Sequence, residues 1–356
     1  MAKKDTTHSP VLVTGASGYI AGWIIKYLLE KGYTVHGTVR DPSKARNVAH
    51  LHKIAEGTPG TLKLFKADLL DEGSFDEAMQ GCEVVMHTAS PFIMEGYTDA
   101  NEALVRPAVE GTRHVLESVN RTASVKRVVL TSSIAAVIGD NADARKAPFR
   151  VVNETLWNNT SSVKHNPYQY SKVAAEQEAW RINRTQKRWD LVTINPSMVY
   201  GPALTPHSQS ASIDTMVQMA KGRYFMGVPK LVYGVVDVRD VAQAHILAAF
   251  KPEAEGRYIV SAAELTMLQI SKILRKNFGW KFPFPLMEQP KAAVWLVGPL
   301  LGPVTRKFIS RNVGLPLRID NTRSRQNLGL QYRPVEATFV DHLQQVIDDG
   351  LLRKKA

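Results

Sequence analysis

A short apolar run, Val11-Leu-Val13, passes without a spacer into Thr14-Gly-Ala-Ser-Gly-Tyr-Ile-Ala-Gly22, and a helical pattern then continues to Glu30. Few features restrict a fold so tightly. A buried strand, a glycine-rich turn and a helix, in that order, open a βαβ unit whose turn receives the phosphates of a dinucleotide. Gly15 permits the tight turn. Gly18 lets backbone N–H groups approach a pyrophosphate at the helix N-terminus, where unpaired donors and the helix dipole favour negative charge. The third small position is Ala21, compact enough for close helix–strand packing. A glycine trio alone is weak evidence; its place at the first strand–helix junction gives it weight.

The rhythm continues. Thr34 to Val39 reads as a second strand ending at Arg40, with Lys44 and Arg46 close behind. At this tip a carboxylate accepts from a free ribose 2′-hydroxyl, whereas arginine meets a 2′-phosphate, so the reading is NADPH. Asp41, one residue later, keeps NADH as the alternative. Leu62 to Lys66 is a third strand, and Asp68 just beyond it is placed either to accept from an adenine amino group or to cap the next helix. A fourth strand, Gly81 to His87, runs into Thr88-Ala-Ser-Pro91, small residues that let a cofactor lie against the strand end. His87 reads as a packed strand residue. The helix from about 101 to 119 is read as packing. Val128 to Leu130 leads into Thr131-Ser-Ser133. Parallel strands present their C-terminal ends to the ligand crevice, so these hydroxyls are expected to face the cofactor. Ser133, or its neighbour Ser132, would hydrogen-bond a substrate carbonyl as its oxygen gains charge. The residues alone do not separate the two.

After a loop, Asn166-Pro-Tyr-Gln-Tyr-Ser-Lys172 opens another helix, with Pro167 suited to a first turn and Ser171 to Trp180 rich in Ala, Glu and Gln. Tyr168 and Lys172, four residues apart, fall near one face at roughly 100° per residue. A phenol is a poor acid or base near neutral pH, and a fixed ammonium beside it favours the phenolate. Such pairs are usually surface pairs; a phosphate loop at the other end of the same domain makes this one a catalytic candidate. A sixth strand, Leu191 to Ile194, ends in Asn195-Pro-Ser-Met-Val-Tyr-Gly-Pro202.

Uninterrupted strand–helix alternation to about residue 200 predicts the α/β class, a Rossmann-type doubly wound parallel sheet. Residues 203 to 230 and 280 to 317 then turn rich in Pro, Gly and Met. The expected division is an N-terminal tail (1–9), an NADP-binding domain (10–202 with about 232–262) and a smaller C-terminal substrate-binding lobe (about 203–231 and 263–350). The apolar run 292–302 is expected as core or pocket wall. At 356 residues, with 44% apolar and 22% charged residues, the chain has room for such a core. The single cysteine, Cys82, excludes an internal disulfide framework and a cysteine-based metal site. No apolar run is long enough to span a bilayer, and Met1 to Pro10 lacks a signal peptide's apolar core, so the expectation is a soluble, cytoplasmic protein. The net charge of +12 comes from scattered basic residues and is read as a basic surface, not a nucleic-acid site.

Together these stretches resemble an extended short-chain dehydrogenase/reductase, most similar to the branch of dihydroflavonol 4-reductases, cinnamoyl-CoA reductases and microbial aldehyde, ketone and methylglyoxal reductases. The resemblance rests on Thr14-Gly-Ala-Ser-Gly-Tyr-Ile, Thr38-Val-Arg-Asp-Pro42, Ala67-Asp-Leu-Leu-Asp-Glu-Gly-Ser-Phe75, His87-Thr-Ala-Ser-Pro91, Thr131-Ser-Ser133, Tyr168-x-x-x-Lys172, Asn195 to Pro202 and Asp320 to Gly329. It covers roughly residues 10 to 350. It implies that Ser133 holds the substrate carbonyl, Tyr168 protonates its oxygen during hydride transfer, and Lys172 binds the nicotinamide ribose and activates the tyrosine. Arg40 would hold the 2′-phosphate. Gly15, Ser17, Gly18, Tyr19 and Ile20 would cradle the pyrophosphate, and Asp68 and Leu69 would flank the adenine. Thr88, Ala89 and Ser90 would line the middle of the cofactor, and Pro196, Ser197 and Val199 would sit beside the nicotinamide.

Two departures bear on substrate. Ala21 stands where plant reductases commonly have a third glycine. The stretch from Gly139 to Lys164, where plant flavonoid reductases choose substrate, is polar and irregular, with no match to a flavanonol or coenzyme A site. The expectation is therefore a broad NADPH-dependent aldehyde or ketone reductase, monomeric or homodimeric, with a small carbonyl substrate and neither nucleic acid nor membrane as partner. A nucleotide-sugar epimerase or hydroxysteroid-type dehydrogenase shares the scaffold and is the alternative. A non-catalytic NADP sensor is a remoter one, since such proteins usually lack the Tyr–Lys pair.

Overall fold

The computed structural model describes residues 9–90, 98–208, 210–301 and 304–352. In chain order its strands are β1 (Val11–Thr14), β2 (Thr34–Val39), β3 (Thr61–Lys66), β4 (Val84–His87), β5 (Arg127–Thr131), β6 (Asp190–Pro196), β7 (Met198–Tyr200), β8 (Val228–Pro229), β9 (Val232–Asp237), β10 (Gly256–Val260), β11 (Ala263–Thr266) and β12 (Glu288–Gln289). The helices are α1 (Tyr19–Glu30), α2 (Ala45–Glu56), α3 (Asp76–Met79), α4 (Arg106–Arg121), α5 (Pro167–Asn183), α6 (Ala211–Ala220), α7 (Val238–Phe250), α8 (Met267–Phe278), α9 (Lys291–Leu301), α10 (Arg306–Asn312), α11 (Thr322–Gln326) and α12 (Val335–Asp348).

Seven parallel strands form the main sheet in the order β10-β6-β5-β4-β1-β2-β3. The chain winds outward from β1 to β3, then returns to β4 on the other side of β1. That reversal is the switch point of a doubly wound sheet, and the crevice outside the strand ends there takes the ligand. Helices cover both faces, so central strands such as β1 and β5 read as apolar runs, whereas the edge strand β3 alternates polar and apolar residues. On one face Ile24, Ile25, Leu28 and Leu29 of α1 meet Val241 and Ala244 of α7; on the other, Phe75, Val115, Ile182 and Trp189 form a second layer. Α wide turn (Asn101–Val105) leads into α4, whose Gly111 lets Leu69 approach: a Cβ there would lie 2.9 Å from Leu69 Cβ.

Beyond β6 the chain builds a second sheet, β11-β9-β7, and a two-stranded ribbon of β8 and β12. Helices α6, α8 and α12 close over it around Tyr200, Met216, Ile270, Phe284 and Phe339. Residues 232–262 serve both layers: β9 hydrogen-bonds in the second sheet, whereas α7 and β10 belong to the first.

One expectation is corrected. The apolar run 292–302 is not core as far as it is described: it forms α9, which leaves Leu296 61% and Leu300 82% exposed. Apolar composition favours burial but does not supply a neighbour, and among the described residues α9 packs on α10 along a thin stripe at Gly298 and Ile309.

Candidate active site

The glycine turn lies at the switch point. Gly15 has φ +67°, and a Cβ on it would sit 3.0 Å from Ala89 Cα at the end of β4, so both backbone conformation and close approach demand glycine. The Gly15 N–H donates to Thr38 Oγ1 at 3.2 Å, and the Gly18 N–H donates to the Gly15 carbonyl at 2.8 Å. Gly18 is the N-cap of α1 and has no side chain to cap it, which leaves first-turn N–H groups facing the cleft. Ser17 is half-buried beside it. Ile20 packs against the core, and the Tyr19 hydroxyl donates to the Gly201 carbonyl at 2.5 Å. The Tyr19 side chain is therefore committed to the 198–202 segment, and only its backbone remains for a pyrophosphate.

Across the turn, Thr14 Oγ1 organises the end of β4. It accepts from the N–H groups of Thr88 and Ala89, both at 3.1 Å, and pairs with His87 Nδ1 at 2.9 Å. Burial, with the Lys172 ammonium adding to it, pushes the His87 imidazole down to about 3, so it stays neutral. A cleft of about 590 Å³ runs over these groups, lined by Gly15, Gly18, Arg40, Asp68, Leu69, Thr88, Ala89 and Ser90. Asp68 accepts from the Leu70 N–H at 3.0 Å, bracing a turn; α3 begins only at Asp76, so Asp68 caps no helix.

At the β2 tip a second hollow of about 530 Å³ is lined by Ser17, Arg40, Asp41, Lys44, Asn47 and Lys66. Asp41 is occupied locally: it accepts from Ser43 Oγ at 2.6 Å and the Ser43 N–H at 3.0 Å, bonds that hold its carboxyl below the usual range. Lys66 and Asn47 were not anticipated. Lys66 reaches the hollow because β3 pairs with β2 in a register that sets it opposite Val39. The order of strands was the missing information.

At the other end of the cleft, α5 brings Tyr168 and Lys172 together. The Lys172 Nζ lies 5.5 Å from the Tyr168 ring centroid and donates to Ser90 Oγ at 2.9 Å. The two serines after β5 part company, as consecutive residues of extended chain must. Ser132 is buried, and its hydroxyl donates to the Glu176 carboxylate. Ser133 is partly exposed, its Oγ accepting from the Ala135 N–H at 3.1 Å. Pro196 and Ser197 are buried at the end of β6, where the Ser197 N–H donates to the Val260 carbonyl at 3.0 Å, and Val199 follows on β7. Pro91, at the end of its motif, falls outside the described residues.

Behind these groups sits Glu176, one further turn along the face of Tyr168 and Lys172. Its buried carboxylate accepts from Arg257 Nε at 2.6 Å and Asn195 Nδ2 at 2.7 Å, and Asn195 also donates to the Ser133 carbonyl at 3.1 Å. Arg257 in turn donates to the carbonyls of Glu154 and Leu156, at 2.8 and 2.5 Å. One ion pair thus ties α5, the Ser132–Ser133 backbone, β6 and β10. The i, i+4, i+8 spacing of residues 168, 172 and 176 was its visible signal.

Compared with known proteins, residues 11–261 match the model of the NAD dependent epimerase/dehydratase family. The chain is 42% identical to cinnamoyl-CoA reductase 1 of Arabidopsis thaliana, covering 96% of this chain and 90% of that protein. It is 37% identical to tetraketide alpha-pyrone reductase 1 of the same plant, covering 98% of each. Among solved structures, the yeast methylglyoxal/isovaleraldehyde reductase Gre2, complexed with NADPH, superposes with a TM-score of 0.77 at 30% identity, over 97% of this chain and all of that one. With its switch-point glycine turn, its sheet order and these relatives, the chain belongs to the NAD dependent epimerase/dehydratase family, the extended short-chain dehydrogenases/reductases.

Proposed function

We propose that this chain is an oxidoreductase that reduces an aldehyde or ketone to an alcohol with NADPH. The observation that carries the reading is the cleft itself: a hollow bounded by Arg40, Lys44 and Lys66 at one end, and Lys172 held beside Tyr168 and Ser90 at the other. The residues present fit the cofactor. Gly15 and Gly18 leave room for a pyrophosphate where a Cβ would collide. The cationic hollow suits a 2′-phosphate, and Asp41, turned to Ser43, is poorly disposed to hold a 2′-hydroxyl. Among the similar proteins, those named above carry reductase names, and the yeast enzyme is a complex with NADPH.

Bound NADPH supplies the hydride. Ser133 donates to the substrate oxygen, Tyr168 delivers the proton as negative charge develops there, and the Lys172 ammonium favours the tyrosinate left behind. Ser132 does not compete for the substrate, because its proton is given to Glu176. Residues 10–202 with 232–262 bind the nucleotide, and 203–231 with 263–350 form the substrate lobe.

The test is loss of NADPH absorbance against aldehydes, diketones, ketoesters, one dihydroflavonol and one aromatic coenzyme A thioester, repeated with NADH. Several small carbonyls turned over with NADPH preferred is the expected result. Tyr168→Phe should lose turnover by about a hundredfold or more while binding NADPH as before. Unchanged turnover in that variant would sink the proton-donor role.

A further inference from the structure

The segment 289–319 contains no aspartate or glutamate, yet holds Lys291, Arg306, Lys307, Arg311 and Arg318. Within it, α9 meets α10 along a thin stripe, where a Cβ on Gly298 would lie 3.2 Å from Ile309 Cδ1. Val294 and Pro299 are half-buried, and the other described side chains of the helix face solvent. Trp295 is 41% exposed, Leu296 61%, Val297 40% and Leu300 82%. Singly exposed leucines are ordinary, but four large apolar side chains within six residues form a patch that calls for an occupant. Flanking the preceding ribbon, Met226 and Met287 are also exposed, and the Gln289 side chain donates to the Met226 carbonyl. Cations rim it. The Arg306 guanidinium lies over the Trp295 ring at 4.7 Å, Lys307 is exposed beside it, and Lys291 opens the helix.

We propose that this face docks on an anionic phospholipid surface, with α9 lying in the plane of the headgroups. An apolar helix face with a tryptophan at its border and a cationic rim suits the boundary between acyl chains and anionic headgroups. The helix has 11 residues, about 16 Å at 1.5 Å each, half of a bilayer's hydrocarbon thickness. It lies on the membrane and does not cross it. A second copy of this chain is the poorer occupant: two-fold pairing of this face would bring the cationic rims of both copies, with Lys291, Arg306 and Lys307, to one seam, with no acid between residues 289 and 319 to answer them. This departs from the expectation that a membrane is no partner, which rested on spanning length and on reading the run 292–302 as core or pocket wall.

The test is flotation of the whole chain with phosphatidylcholine vesicles, with and without about one-third phosphatidylglycerol, at low and high salt. The expected result is binding to the anionic vesicles, weakened by salt. Leu296→Ser with Leu300→Ser, which leaves the charge unchanged, should lower the bound fraction about tenfold or more, while melting temperature and NADPH binding stay as in the parent. Arg306→Gln with Lys307→Gln should weaken anionic-vesicle binding alone. Absence of vesicle binding overturns the proposal. So does binding indifferent to the double serine change, which would mark general adsorption of a chain with net charge +12. A concentration-dependent dimer that the serine changes dissolve, without vesicle binding, assigns the face to a second copy.

Discussion

In Glu176→Ala the Arg257 guanidinium loses a carboxylate at 2.6 Å, in a place where the two side chains are 0% and 8% exposed. Among the described residues it keeps the carbonyls of Glu154, Leu156 and Ala136 and the Trp157 ring 3.9 Å from the guanidinium, which satisfy donors and cushion the cation without neutralising its charge. Removing one member of a buried pair costs about 3–5 kcal/mol, because the other is left charged and unpaired. Asn195 and Ser132 lose an acceptor as well, worth about 1 kcal/mol each unless they find another. A central value of about 4 kcal/mol lowers the melting temperature by roughly 5 °C in a chain of this size. The measurement is thermal unfolding followed by circular dichroism, with urea midpoints alongside. Glu176→Gln keeps the shape and should fall between parent and alanine variant. Replacing both partners, as Glu176→Ala with Arg257→Met, should recover part of the loss by removing the stranded cation. Because Asn195 anchors the Ser133 carbonyl, kcat should fall in protein that is still folded. A Glu176→Ala variant melting within about 2 °C of the parent, or a double variant with merely additive losses, would refute this account.

Arg40→Ala should raise the Kd for NADPH by about 10–100-fold, the worth of a charge-assisted hydrogen bond to phosphate, and that for NADH by less than about threefold. Equal losses in fluorescence titrations of the two would place Arg40 elsewhere on the nucleotide. Gly15→Ala forces a side chain into φ +67° and to 3.0 Å from Ala89 Cα. It should cost about 1–3 kcal/mol, read as a lower melting temperature and weaker NADPH binding; parent-like values would refute the close approach. Burial pushes the imidazoles of His87 and His342 down to about 3 and that of His245 to about 4. The unfolded chain then takes up protons that the folded one refuses, so stability is lost as pH falls below the unfolded value of about 6.5, by up to ~1.4 kcal/mol per pH unit for each histidine. Urea midpoints should drop between pH 7 and pH 5, and a flat profile would count against neutral buried histidines.

Much of the site was legible because its determinants are local. A positive φ at Gly15, the cationic tip of β2 and the helical spacing of Tyr168 and Lys172 each depend on a few adjacent residues, and those residues carry the pattern wherever the rest of the chain lies. Strand–helix alternation likewise predicts a doubly wound sheet, since parallel strands need crossovers and crossovers of one hand cover both faces. Tertiary structure decided what depends on a neighbour distant in sequence. Ser132 and Ser133 have the same chemistry; extended chain turns them apart, and the placement of Glu176 gives the Ser132 hydroxyl a buried carboxylate to bond. Lys66 joined the hollow at Arg40 through strand register, and Asp41, though it lines the same hollow, is engaged by Ser43. The run from Ala292 onward shows the limit most clearly: hydrophobicity measures what a residue gains from leaving water, and only the packed chain determines whether any surface of its own is there to receive it.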